Sequence, residues 1–182
     1  GAFSDSDINN GENKQQRFGI TTNFNYTKGS LVLTASYNKI ERIINSFNSW
    51  TNTTDIFEYT GKTYVVDVVN NYKVSNEFQL ISGVNYQKQS NLTNSPYGNI
   101  DEDIANYETV DPYLTAIYNS GFGLNLNAGA RLNNHSEYGN HLVYNINPSF
   151  NFTSNLRAIS SISTAFIAPS TYQLFSQYGN VD

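Results

Sequence analysis

The residues that could do chemistry are few and scattered. His135 and His141 are the only histidines, and Glu137 lies between them. Two imidazoles and a carboxylate could begin a metal site, but no further ligand stands beside them, and a solvated hairpin explains them as well. Cysteine is absent, so disulfides, thiol nucleophiles and thiolate metal sites are excluded. Asp101-Glu102-Asp103 is the densest acidic run, with Asp5 and Asp7 near the start of the chain. Loop carboxylates are the ligands calcium takes, which makes Asp101 and Asp103 the calcium candidates; the plain alternative is a charged loop in water. No nucleophile, base and orienting group stand in a recognisable set, so the chain is not expected to be an enzyme. A barrel hydrolase would have to recruit His135 or His141.

A third group is aromatic. Trp50, Tyr97, Tyr172, Phe175 and Tyr178 fall in segments that read as loops. Rings there serve as ligand contacts, as headgroup anchors, or as packing between loops. They are the candidate ligand contacts.

The elements that must position these groups are strands. Apolar and polar residues alternate with period two over 17–27, 31–44, 62–72, 77–88, 108–119, 122–132 and 141–152. The fourth of these sets Phe78, Leu80, Val84 and Tyr86 against Gln79, Asn85 and Gln87. An eighth strand, 156–167, alternates poorly, since Ile159 and Ile162 fall on opposite faces. Pro112 marks its strand as an edge or an irregular start, because proline lacks the ladder donor. Lys28-Gly29-Ser30 and Ser120-Gly121 are tight turns, whereas 45–61, 89–107 and 133–140 read as longer polar loops. Helical periodicity nowhere lasts more than a few residues. The expected fold is all-β: an antiparallel up-and-down meander of about eight long strands, in one domain over 1–182.

Composition narrows the setting. A net charge of -5 disfavours nucleic acid, which needs a basic surface. No apolar run is long enough for a membrane helix, and mean hydropathy is -0.47. Membrane barrels escape that test because half of each strand faces a wet interior. Three features favour such a barrel over a soluble, lipocalin-like one. The strands match a tilted bilayer crossing of ~9–11 residues better than the ~5–6 usual in sandwiches. Short and long connections alternate, as sidedness demands. Aromatics gather near strand ends: Phe18 and Tyr26, Tyr64 and Tyr72, Phe78 and Tyr86. In hydrocarbon every backbone amide must find a partner, so strands must close into a ring.

Two stretches carry a resemblance. Phe166-x-Ala168-Pro169-Ser170-x-Tyr172-Gln173-Leu174-Phe175, followed by Tyr178-Gly179-Asn180, resembles the segment of TonB-dependent outer-membrane receptors that leaves a barrel strand for an extracellular loop. Upstream, Arg131-Leu132-Asn133-Asn134-His135-Ser136-Glu137-Tyr138-Gly139 resembles an extracellular hairpin of the cobalamin-receptor branch. The resemblance implies a barrel fragment from the middle of an outer-membrane transporter of about 22 strands. It implies a nutrient ligand, cobalamin or an iron chelate, and energy from the TonB complex acting on parts outside this chain. It also implies calcium in outer loops and outer-membrane lipid around the wall. Haem is disfavoured, since no histidine lies between Ala168 and Asn180, where haem-transporting relatives carry one. Starting at Gly1 and ending at Asp182 within a loop, the chain is expected to be a piece of that receptor; a self-contained eight-stranded structural or adhesion barrel is the alternative.

Overall fold

The chain zigzags through one antiparallel sheet, each strand pairing with the next. The computed structural model describes residues 9–175. The strands are β1 (Asn10–Tyr26), β2 (Gly29–Asn48), β3 (Thr53–Lys73), β4 (Phe78–Asn94), β5 (Asn106–Asn119), β6 (Leu124–His135) and β7 (Gly139–Asn151), then two short pieces, β8 (Arg157–Ile159) and β9 (Ile162–Ser163), and a short helix α1 (Thr171–Phe175). The spatial order follows the sequence order, with β8 and β9 both on β7. The sheet is open: β1 pairs only with β2, and among the described residues it does not meet the last strand.

Register turns the period of two into faces. Phe24 pairs with Leu31, Leu33 with Val68, Val68 with Val84, Leu80 with Ala116, Ala116 with Ala128 and Ala128 with Ile146. Directly paired residues share a face, so one apolar surface extends across seven strands, with the polar pair Asn70↔Ser82 set within it. It has no cover. Phe18, Ile20, Phe24 and Leu142 are each at least 65 % exposed, while the only buried apolar residues among those described are Ala105 and Leu174. A soluble barrel would bury these side chains in a dry centre; here they point away from the sheet, as a wall meant for lipid must. The opposite, inner face carries Thr21, Asn38, Asp67, Asn85, Asn127 and Asn147.

The outward face marks its own limits. Phe18, Tyr37 and Tyr64 sit in one cross-strand row, and the Tyr37 and Tyr64 rings lie 4.8 Å apart. Tyr26 and Tyr72 lie eight residues along the same strands, or roughly 26 Å at the rise of a strand. That is comparable to the apolar band of an outer-membrane barrel, ~25 Å tall. Charge begins just beyond the first row. Lys39, Lys62 and Lys88 each stand two residues past a tyrosine and pair with Glu41, Glu102 and Glu108 at 2.7, 2.6 and 2.6 Å. We call this the outer end.

Several expectations need correction. The stretch 45–61 is not a loop: β2 and β3 stay paired to Asn48↔Thr53, leaving a four-residue turn. Ile43, Ile44, Ile56 and Phe57 are good strand formers, and once a ladder exists each further pair is added to a preformed edge. The 20 residues of β2 extend roughly 65 Å, so the hairpin projects beyond a ~30 Å hydrocarbon layer. Likewise 133–140 is mostly strand, and only 95–105 remains a long connection. Pro112 lies in an inner strand, not an edge. Its missing N–H faces β6, where pairing lapses between Thr109↔His135 and Tyr113↔Arg131. The eighth strand is broken for the same reason. Ser160 donates to the Pro148 carbonyl at 3.0 Å, but Pro148 has no N–H to return. β8 and β9 flank that point in one register.

One close approach is specific. Gly83 pairs with Tyr113, whose ring lies over it, and a Cβ there would meet the ring and the Val68 carbonyl at 2.5 Å. Gly83→Val is therefore expected to push Tyr113 off the wall and cost about 1–3 kcal/mol. A shift of the denaturation midpoint within error would contradict this packing.

Candidate ligand-binding site

At the outer end, β3 and β4 present Phe57, Tyr59, Asn91 and Thr93 on the inner face, with Tyr59 opposite Thr93. The connection 95–105 folds back over them. Thr93 and Ile100 exchange backbone hydrogen bonds of 3.0 and 2.8 Å. Ser95 Oγ accepts from the Tyr97 N–H and donates to the Gly98 carbonyl, while Asn99 Oδ1 accepts from the Ser95 N–H. Gly98 adopts φ +138°, open to glycine but strained for other residues. This tight turn sets Tyr97 against Phe57, ring centroids 5.9 Å apart.

The other side comes from far along the chain. After β9 the backbone crosses back past β7, β6 and β5 to place α1 against β4. Ser170 caps this helix: its Oγ accepts from the Gln173 N–H, and Gln173 Oε1 accepts from the Ser170 N–H at 2.9 Å. That is a capping box, Ser-x-x-Gln, with Pro169 just before it. The motif was readable in the sequence, and the helix it announces was missed because it is one turn long. Leu174 is buried and Phe175 completes a hollow of ~350 Å³. The volume suits a small-molecule site, which is typically ~300–1,000 Å³.

Of the aromatic candidates, the structure brings Tyr97 and Phe175 together. It adds Phe57 and Tyr59, which the reading of 45–61 as a loop had hidden. Trp50 sits apart at the tip of the β2–β3 turn, 96 % exposed. Tyr172 lies in α1, but its side chain is outside the description; Tyr178, Asp5 and Asp7 lie outside the described residues. Asp101 uses its carbonyl to accept from the Ile104 and Ala105 N–H groups, turning the chain into β5. Among the described residues no cluster of three or more metal-ligating side chains forms around Asp101, Asp103 or the histidines.

The histidines have structural partners. His141 Nε2 bonds the Tyr138 carbonyl at 2.9 Å, and its ring stacks on Phe166 at 3.9 Å. His135 is buried between Tyr107 and Tyr138. Its Nδ1 accepts from the Glu137 N–H at 3.1 Å, which places the ring proton on Nε2. Burial lowers its pKa below the ordinary 6.5; the neighbouring Glu137 and Asp111 oppose that shift and His141 adds to it. The hairpin is therefore fully stabilised by neutral His135 above about pH 6.5 and loses that contribution as pH falls below it, because only the opened tip readily takes the proton. Hydrogen exchange at amides 134–140, corrected for intrinsic rate, should rise between pH 7.5 and pH 5.5. It should not rise in His135→Phe, which keeps the stacking without the titration. Equal exchange in both proteins would refute the link.

Deeper on the inner face, sequence reasoning missed a polar group altogether. Arg131 Nη2 donates to Asp111 Oδ2, and Asp111 Oδ1 accepts from the Asn134 N–H at 3.0 Å. Tyr113 and Asp67 lie beside them, lining a second hollow with Asn85 and Arg131.

Comparison with known proteins agrees with this geometry. A family model described as TonB dependent receptor-like, beta-barrel matches residues 1–182. Among solved structures the chain is similar to the siderophore receptor PirA from Pseudomonas aeruginosa, with a TM-score of 0.53 and 16 % identity. The match covers 88 % of this chain and 35 % of that receptor. At that identity the likeness is one of fold, and this chain spans about a third of the receptor's length.

Proposed function

The chain belongs to the TonB-dependent receptor β-barrel family, and from that premise we propose that it forms part of the wall of an outer-membrane uptake receptor. That family is one of transporters, not enzymes. The whole receptor binds a nutrient complex, cobalamin or an iron chelate, at its outer end and imports it with energy delivered through TonB. This segment supplies wall, lumen lining and part of the ligand-facing rim, in the outer membrane of a Gram-negative cell. The observation that carries this reading is the exposed, predominantly apolar outward face, bounded by aromatic rows, below an aromatic hollow at the outer end. The hairpin like that of the cobalamin-receptor branch favours a corrinoid; the fold likeness to a siderophore receptor favours an iron chelate.

The test is uptake by cells with and without the gene, using radiolabelled cobalamin and radiolabelled iron chelates. Uptake that needs both the gene and TonB is expected. Uptake unchanged by deleting the gene, with the protein absent from outer-membrane fractions, would dismiss the proposal. Calcium at Asp101 and Asp103 is tested separately: Asp101→Asn with Asp103→Asn should abolish any calcium dependence of ligand binding, and an unaltered calcium response would rule that site out.

A further inference from the structure

The outer hollow is walled by rings and neutral polar groups. Phe57, Tyr59, Tyr97 and Phe175 offer apolar faces, and Asn91, Thr93 and Ser95 offer hydrogen-bonding groups. Among the described residues no charged side chain lines it. The contrast with the deeper hollow, which has Asp67 and Arg131 in its wall, lies within the same face of the same sheet. Three carboxylates of the surrounding hairpins are engaged by other partners, Asp55 among them although it shares the inner face of β3 with Phe57 and Tyr59. Glu58 projects on the opposite face of β3 from Phe57 and Tyr59 and accepts from Asn94 Nδ2 at 3.3 Å. Glu102 is held by Lys62 at 2.6 Å, and Asp55 accepts from Asn48 Nδ2 at 2.9 Å.

Resting on the receptor reading, we propose that the ligand seated in this hollow is uncharged, with a broad apolar surface edged by hydroxyl or amide groups. An ion entering here would give up water without meeting a counter-charge, which is costly unless the ion is paired. An anionic chelate would also approach a chain whose net charge is -5. A neutral ligand meets neither cost. The rings cover its apolar surface, and Asn91 and Thr93 satisfy its edge: among the described residues neither side chain is taken up by a hydrogen bond within the protein. Asn91 can both donate and accept, so it serves hydroxyl and carbonyl groups alike. A neutral hydroxamate chelate of iron, a corrinoid and a neutral glycan share this chemistry.

The test uses the full-length receptor in its own outer membrane, carrying Asn91→Asp, Asn91→Lys or Tyr97→Ala, each checked for normal outer-membrane abundance. Four radiolabelled probes separate the sources: neutral ferric trihydroxamate, cyanocobalamin, maltoheptaose and anionic ferric tricatecholate. Receptor-dependent uptake of one of the neutral three is expected. Both charged variants should then raise the half-saturation concentration in the same direction, on the order of tenfold each, because either sign places an unpaired charge against the ligand. Tyr97→Ala should raise it too. Uptake of the tricatecholate, strengthened by Asn91→Lys and weakened by Asn91→Asp, would overturn the inference and leave the receptor reading standing. So would uptake of any probe that ignores all three variants. Receptor-dependent uptake of none of the four would also overturn the inference; the receptor reading falls with it only if the protein is absent from outer-membrane fractions as well.

Discussion

Replacing Asp111 with alanine is expected to destabilise the wall by about 2–4 kcal/mol, the largest single loss anticipated in the described sheet. Its side chain is 6 % exposed, and both carboxylate oxygens are engaged. One holds the Arg131 guanidinium. The other accepts the Asn134 N–H in the gap that Pro112 opens between β5 and β6. Alanine would orphan a backbone donor and a cation together. Arg131 Nε is already buried without a partner among the described residues, so the guanidinium has little reserve. Water in the lumen offsets part of the loss, since the Arg131 side chain is 42 % exposed; for that reason the lower part of the range for broken buried pairs is the relevant one. Denaturation of the folded receptor in detergent measures this. Asp111→Asn should lose less, because its carbonyl oxygen can still accept from Asn134. A loss under about 1 kcal/mol for the alanine variant would mean the β5–β6 seam closes without that carboxylate.

The second large effect concerns binding. Phe57→Ala and Tyr97→Ala together should weaken the ligand by at least ~30-fold, the scale of a buried aromatic anchor. The two rings touch across the hollow, so losing both removes one wall and its stacking surface. Titration of the purified receptor with its transported ligand reads this directly. Trp50→Ala is the internal comparison. Trp50 is also an outer-end aromatic, but it stands on a separate turn and does not line the hollow. If Trp50→Ala weakens binding and the Phe57/Tyr97 pair does not, the ligand is held by the β2–β3 tip and the hollow is only loop packing.

Much of the fold was legible because a pleat is a local property. Side chains of a strand alternate whatever their partner, so Leu124, Leu126 and Ala128 against Asn125 and Asn127 declare two faces before any neighbour is known. The segment from Phe166 to Phe175 was legible as a family likeness, and Pro112 as a disturbance. Where a strand stops is less local. Residues 45–61 are polar enough for a loop, yet all but the turn 49–52 pair, because 45–48 and 53–61 have partners in register across the hairpin. Pro148 shows the same limit. Its missing donor could have faced either neighbour, and only the register reveals that the loss falls on the closing strand.

The amino-acid sequence by itself determined that this chain is a wall with an apolar side and a wet side, and that the absence of cysteine excludes thiol chemistry. Period and composition suffice for that, since both are read one strand at a time. Only the tertiary structure decided which aromatics meet. Residues 57, 97 and 175 lie on a strand, a folded-back loop and a capped helical turn, and what joins them is the return of the chain over three intervening strands. No spacing along the chain encodes that contact, because its distance is set by strand pairing and loop closure between segments that never neighbour one another in sequence.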